Sequence, residues 1–335
     1  MWHVGIDLGR TSLYVAAVND SGEARGPVAI RCRDTDAILR EFEALRPFRT
    51  VIEATGTYRW LHRLLCPLGS VLLAHGARLR ALVNRRSKTD KLDSQLLATL
   101  LRINQIPLAY IPSEAYQYLR DITRQRARLS RLQSEAKTGL RAVLARNNIT
   151  APYRVPFGPR GLKWFAKQSF GLADDAVRDE LLSRLTHYSL EIAAVDAHLE
   201  TIGMSYPQTE ALIDIHGMGH YFALLIVAEI GDPERFRSAR QVGAYAGLTA
   251  RVNQSGEHAY YGHITRQGSS WLRWALVQVA LHVCRKDQAL NLFYTRIRKR
   301  SSAKIARVAV ARKLAEICWK RLRRWHRMHP EVQAA

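Results

Sequence analysis

Residues Met1–Asp20, MWHVGIDLGRTSLYVAAVND, decide how this chain is read. Two apolar, β-branched runs, VGIDLG and SLYVAAVND, flank Gly9-Arg10-Thr11, a pattern that predicts a β-hairpin. Inside the first run a single carboxylate, Asp7, sits among Gly5, Ile6 and Leu8. An apolar strand holds an unpaired charge only at high cost, so Asp7 needs a partner. Lysine, arginine and divalent cations all qualify. Outward from the hairpin, GPVAIRCR predicts a third strand and DTDAILREFEAL a helix capped by Asp or Thr. RTVIEATG and SVLLAH predict two further short strands. TDKLDSQLLATLLRI predicts an amphipathic helix opened by a Thr cap. Three strands in hairpin order followed by β–α alternation point to a mixed α/β sheet over residues 1–112. IPLAYIPSEA, with its two prolines, reads as the exit from that domain.

Residues 113–205 are helical in pattern. Leu181, Leu185, Tyr188, Ile192, Val195, Leu199 and Ile202 recur in steps of four and three, the seam of a coiled coil or helical hairpin. The expected partner is 117–147, where Ile122, Leu129, Ala136 and Val143 fall seven apart. Arg120, Arg124, Arg126, Arg128, Arg131, Lys137 and Arg141 lie on that partner with few acids among them, which favours phosphate contact over a merely solvated face. Between the two helices lies the Pro/Gly loop APYRVPFGPRGLKWF, a strand-contacting loop or a connector.

Residues 206–335 form a third segment. IHGMGHYFALLIVAEIG reads as helix, tight GxG turn, helix. Such a turn brings backbone N–H groups to a phosphate at a helix N-terminus, and an ordinary corner between two helices is the alternative. From Asn291 to Arg327 thirteen bases, Arg296 to Arg327, meet only Glu316, predicting basic helices.

The net charge is +22, from 51 Lys and Arg against 29 Asp and Glu. That excess implies a polyanionic partner, nucleic acid before anionic membrane. No apolar run is long enough to span a membrane, and no secretion signal is read. The four cysteines form no CxxC pair, and the twelve histidines no HExxH, so metal binding falls to carboxylates.

Four acids stand out by position. Asp7 and Glu53 lie in apolar strands. Asp90 and Asp93, three apart in KTDKLDSQ, share one face of a helix start. Carboxylates that converge repel one another unless cations neutralise them, and two Mg²⁺ ions bridged by acids are the usual device for phosphodiester chemistry. GIDLGRT is also similar to the first phosphate loop of the actin, chaperone and sugar-kinase ATPases. The second acid-and-glycine loop those proteins need is not matched, since in the later glycine turn Asp214 is separated from Gly217 by Ile215 and His216.

The ordered set GIDLG, VIEATGTY, KTDKLDSQ, IHGMG, AEIGDPERF and AYAGLTARVNQSGEHAYYGHITRQGSSWLRWAL resembles the IS-one-ten family of insertion-sequence transposases and recombinases, with the related Piv-like DNA invertases. The resemblance spans nearly the whole chain. It implies a RuvC-like, ribonuclease-H-like DEDD domain over 1–112, with Asp7, Glu53, Asp90 and Asp93 holding Mg²⁺, two ions per site. It implies a helical coiled-coil segment over 113–205 and a mainly helical transposase domain over 206–335. In that last domain Ser255, in QSGEHAYYGHITRQG, is implied as the nucleophile that forms a phosphoserine link to DNA. Donor and target DNA, a structured guide (bridge) RNA, and a dimer or tetramer with composite active sites are implied as partners. A bacterial, nucleoid-associated cytoplasmic location follows from these.

Taken on its own chemistry, Ser255 precedes Gly256 in a polar loop, where glycine permits close approach to a phosphate. Arg251, His258, Arg266 and Arg273 are near in sequence and suit the non-bridging oxygens. An unactivated serine needs a base or metal, and no local Ser-His-Asp arrangement is visible. Ser269 and Ser270 are rival serines, which helix capping also explains. Two other function classes fit parts of the pattern: a RuvC-like metal-dependent nuclease on branched DNA with no serine chemistry, and a non-catalytic nucleic-acid-binding scaffold.

Overall fold

The first strand, β1 (Trp2–Leu8), separates two chemistries by its alternation. Val4, Ile6 and Leu8 join a buried apolar cluster with Ile38, Phe42, Leu61 and Leu65. Gly5 and Asp7 point to the opposite face. The structure is a computed structural model that describes residues 1–82, 90–255 and 258–330, with backbone alone at Asp90, 253–255 and 258–261. The chain divides into two compact units, Met1–Ile111 and Pro112–Ala335.

In the first unit β1 pairs antiparallel with β2 (Ser12–Asn19), and β2 antiparallel with β3 (Ala24–Arg31). After α1 (Thr35–Glu43), β4 (Phe48–Glu53) runs parallel to β1. After α2 (Tyr58–Leu65), β5 (Ser70–Ala74) runs parallel to β4, giving the order β3-β2-β1-β4-β5. The expected Asp cap of α1 is Asp34, which accepts the Ala37 N–H at 2.9 Å. Two helices follow, α3 (Gly76–Leu82) and α4 (Asp90–Arg102). Leu97 and Leu101 of α4 cover the second face of the sheet with Val51, Ala74 and Leu79. IPLAYI is more than an exit. Pro107 accepts the His75 N–H at 2.7 Å, and Ala109 donates to Leu73 at 2.8 Å, so this segment lines the free edge of β5. Pro107 has no N–H to give, and its carbonyl makes the bond instead.

The second unit opens with α5 (Glu114–Arg146), α6 (Pro159–Phe165) and α7 (Leu172–Gly203). Helices α5 and α7 lie antiparallel: Tyr118 meets His198 at 2.6 Å, Gln133 meets Ser189 at 3.1 Å, and Arg146 meets Asp174 at 2.5 Å. The heptad positions Leu129, Ala136, Val143, Leu185 and Leu199 are buried, as the seam requires. Then come α8 (Glu210–Ile213), α9 (His220–Ile230), α10 (Ala239–Tyr245), the hairpin β6 (Ala250–Ser255) and β7 (His258–Ile264), α11 (Ser270–Val283), α12 (Gln288–Arg300) and α13 (Ala303–Met328). Helix α9 is buried continuously from Ala223 to Ile230, so it is the core helix of this unit. Leu119 of α5 and Leu276 and Leu314 of α11 and α13 belong to the same core.

The helix before the GMG turn, α8, is a single turn. Gly217, at φ 83°, backs onto α11, where an added Cβ would stand 2.5 Å from the His282 Cβ. Packing accounts for that glycine without a phosphate. Among the described residues no helix is long and apolar enough to cross a membrane.

Candidate active site

The ladder that pairs Gly5 with Val51 and Ile6 with Ile52 puts Asp7 and Glu53 level at the ends of neighbouring parallel strands. Residues paired across a sheet share a face, and alternate residues of a strand share it too. Asp7 and Glu53 therefore lie on the same face as Gly5 and Val51. Val51 packs with Leu97 and Leu101, so this is the face that α4 covers. Helix α4 comes very close at Gly5: an added Cβ would stand 2.8 Å from the Leu97 Cβ and overlap the Ser94 carbonyl and the Ala98 nitrogen. The absent side chain lets the start of α4, with Asp90 and Asp93, settle on the Asp7 face.

Asp7, Glu53 and Asp93 are all partly buried. The Glu53 carboxylate lies over Gly76 at the start of α3, its Cδ 3.2 Å from where a Cβ there would stand. Asp90 begins α4, and its side chain lies outside the described residues. Among the described residues no group of three His, Cys, Asp or Glu side chains stands close enough to share a metal ion. The structure thus gathers Asp7, Glu53 and the start of α4 on one face without closing a cage around a cation. The donor set fits magnesium, because all four candidates are hard carboxylate oxygens.

Ser255 is the last residue of β6 and pairs with His258 of β7; Gly256 and Glu257 lie outside the described residues. The root of this hairpin is tightly fastened. Thr265 donates to Thr249 at 2.8 Å and Arg266 to Gly247 at 3.2 Å. Gly268, at φ 90°, crosses so close under Tyr245 that a Cβ would overlap the Tyr245 carbonyl. Of the bases near Ser255 in sequence, Arg251 and Arg266 are exposed. Arg273 is occupied, donating to Ala246 O at 2.9 Å, and burial lowers its pKa, with Arg266 adding to the effect. The side chain of His258 lies outside the described residues. Ser269 caps α11, accepting the Leu272 N–H at 3.1 Å.

The phosphate-contact reading of α5 is corrected for Arg120, Arg124 and Arg126. Arg120 donates to Ala228 O at 2.7 Å and Glu229 O at 2.9 Å. Arg124 pairs with Glu229 at 2.7 Å and Arg126 with Asp196 at 2.9 Å. Arg131 reaches Glu135 at 3.5 Å, and Arg141 lies over the Phe157 ring at 4.8 Å. Arg120, Arg124 and Arg126 hold α5 to its neighbours because their acceptors arrive from α7 and α9, remote in sequence, whereas Arg131 and Arg141 are exposed. Arg128, exposed near the Trp271 ring at 5.9 Å, keeps a solvent-facing charge. The basic C-terminal helices divide similarly. Arg321 pairs with Asp214, and Arg323 and Arg327 with Glu234. Arg298, Lys299, Arg300 and Lys304, around the α12–α13 junction, are exposed. Glu229 was missed by the sequence reading, although an acid inside ALLIVAEIG carries the same signal that marked Asp7.

A family model described as "Transposase", of the DEDD type of IS110 elements, matches residues 4–149. A second, described as "Transposase IS116/IS110/IS902 family", matches residues 209–295. A "Probable family 20 transposase" of Pseudomonas aeruginosa is 27% identical over 335 residues, covering 96% of each chain. A "Transposase for insertion sequence element IS1328" of Yersinia enterocolitica is 26% identical, covering 94% of this chain and 95% of the relative. A "Transposase for insertion sequence element IS1111A" of Coxiella burnetii is 22% identical over 96% of this chain and 89% of the relative. The two matches fall on the sheet that carries Asp7 and Glu53 and on the unit that carries the Ser255 hairpin, and with the near full-length relatives they place this chain in the IS110/IS116 family of transposases, enzymes of DNA strand transfer.

Proposed function

We propose that this transposase is an RNA-guided recombinase that moves an insertion sequence through a covalent phosphoserine–DNA intermediate, using Asp7, Glu53, Asp90, Asp93 and Ser255. The observation that carries the acid half is the level placement of Asp7 and Glu53 on adjacent parallel strands, on the face that α4 covers. The strand order β3-β2-β1-β4-β5, antiparallel then parallel, supports a ribonuclease-H-like sheet for 1–112. The segments 113–205 and 206–335 are then a helical connector and a transposase domain.

In the first step the Ser255 Oγ bonds to a DNA phosphorus as one P–O bond to a sugar breaks. The hydroxyl proton passes to a base and the departing sugar oxygen takes up a proton. Attack by another strand's sugar hydroxyl on the phosphoserine rejoins DNA and restores the serine, so no water or high-energy cofactor is consumed. Asp7, Glu53, Asp90 and Asp93 would hold Mg²⁺, which supplies charge stabilisation at the phosphate. Site completion in a homo-oligomer, with one protomer's serine beside another's acids, accommodates acids and serine on separate units. The charge of +22 suits simultaneous binding of donor DNA, target DNA and a guide RNA.

The test is to incubate the purified protein with DNA and structured RNA of its element and Mg²⁺, and to look for a protein–DNA adduct that survives denaturation. The expected result is an adduct that disappears in Ser255→Ala and in Asp7→Asn, with nucleic-acid binding retained, and that requires the RNA. Strand cleavage without an adduct, unchanged in Ser255→Ala, would overturn the serine chemistry. An adduct of the same yield without RNA would overturn the guide.

A further inference from the structure

Glu229 is fully buried on the core helix α9. Its carboxylate accepts two N–H groups from Arg124, at 2.7 and 3.0 Å. Its third donor is the Ser269 hydroxyl, 2.8 Å from Oε2. The same hydroxyl oxygen accepts the Leu272 N–H and so caps α11. The Ser269 backbone N–H donates to Tyr245 O at 2.8 Å. One carboxylate and one serine therefore fasten α5, α9, α10 and α11 to each other.

That junction is the root of the β6–β7 hairpin. The chain leaves α10 through Gly247 and Thr249 and returns to α11 through Thr265 and Arg266, which bond back to those residues. Whatever fixes Ser269 fixes the returning limb. We propose that Glu229, acting through Ser269, is a positioning residue that locks the hairpin root and so sets how Ser255 is presented for strand transfer. This rests on the reading of Ser255 as the nucleophile.

The lock makes a chemical demand that capping alone does not. The side chain at 269 must accept a backbone N–H and donate to a carboxylate. Serine does both with one hydroxyl, and asparagine does both with the two ends of its amide. Aspartate is among the best N-caps and complements the helix dipole, yet it has no proton to give when ionised. At 269 it would face Glu229 at hydrogen-bond range. Capping alone predicts that Ser269→Asp is harmless; the lock predicts that it is the worst of the series.

The test compares Ser269→Asp, Ser269→Ala, Ser269→Asn and Glu229→Gln in the full chain. The readouts are adduct yield with element DNA and RNA, nucleic-acid affinity, thermal melting, and amide exchange at Thr265 and Arg266. Ser269→Ala is expected to lose about tenfold in adduct formation, as for one hydrogen bond. Ser269→Asp is expected to lose about a hundredfold, as a misplaced reacting group does, with affinity changed less than about threefold. Glu229→Gln is expected to fall between them, and Ser269→Asn to recover most of what Ser269→Ala loses. Exchange at Thr265 and Arg266 should rise in the same order. Wild-type adduct yield and exchange in Ser269→Asp would overturn the lock. If Ser269→Asp fails to fold, equal behaviour of Ser269→Ala and Ser269→Asn would overturn it. An adduct persisting in Ser255→Ala would instead remove the nucleophile, and the exchange order alone would then decide whether Glu229 locks the root.

Discussion

Gly5 of β1 lies directly against Ser94 of α4, with no room between them for a methyl group. The obstructing atoms at Ser94 and Ala98 are backbone, so no rotamer change relieves the clash. Gly5→Ala must lift α4 from the sheet or bend the strand, at a cost of about 1–3 kcal/mol. On the proposed reading, lifting α4 also moves Asp93 relative to Asp7. The expected outcome is a lower melting temperature together with a loss of strand transfer that exceeds the loss of nucleic-acid binding. Unchanged melting would show that this contact does not hold α4.

The division of arginines between internal pairs and open surface is measurable by salt titration. Arg126 accepts no extra load: it pairs with both oxygens of Asp196 at 2.9 and 3.0 Å and lies 4.5 Å from the centre of the Tyr221 ring. Arg126→Ala should cost about 1 kcal/mol of stability, since the pair is partly solvated, and leave the salt slope of nucleic-acid binding unchanged. Replacing Arg298, Lys299 and Arg300 together by alanine should leave melting unchanged. It should lower the slope of log affinity against log salt by about 0.9 for each lost phosphate contact. The reverse pattern would reassign the nucleic-acid surface to α5.

Glu234 gives a pH signature of the second unit. The hydrogen bond from Arg323, reinforced by the charges of Arg323 and Arg327, holds its carboxyl below the ordinary value of 4.5. The unfolded chain therefore binds this proton at higher pH than the folded one. The resulting stabilisation is fully present above the ordinary glutamate range and is lost as pH falls through the folded value. In Glu234→Gln the melting temperature should drop slightly at neutral pH, and the difference from wild type should vanish in acid. A difference that persists in acid would show that charge is not its source.

The cysteines differ in access. Cys318 is fully buried on α13, and burial pushes its thiol up to about 12. Cys66 is exposed at the end of α2. Since the thiolate is the reactive form, a neutral alkylating reagent should modify Cys66 in the native protein and Cys318 only after denaturation. Mass spectrometry of the labelled peptides reads this directly. Native labelling of Cys318 would mean that the α9–α11–α13 core opens.

Much of the sheet was legible because strands announce themselves locally. VGIDLG, SLYVAAVND and RTVIEATG alternate or run β-branched between glycines, and the α5–α7 seam repeats every heptad. Asp7 and Glu53 were legible as candidates for the same reason: a carboxylate in an apolar strand is conspicuous whatever the fold. Ser255 carried no such local mark, and its place in a polar hairpin is equally that of a turn serine.

The remainder depended on partners far away in sequence. That Asp7 stands level with Glu53 follows from a parallel register across dozens of residues, which no local pattern encodes. Gly5 reads as a weak strand residue until Ser94 arrives above it. Arg120, Arg124 and Arg126 of α5 read as part of a nucleic-acid face until Asp196 and Glu229 come to meet them. The sequence by itself determined the strands of the first sheet, the α5–α7 seam, the charge excess and the conspicuous acids, because these follow from composition and short-range periodicity. Tertiary structure alone decided which charges are spent inside, which face carries Asp7, and what fastens the Ser255 hairpin, because each depends on pairing between groups that only folding brings together.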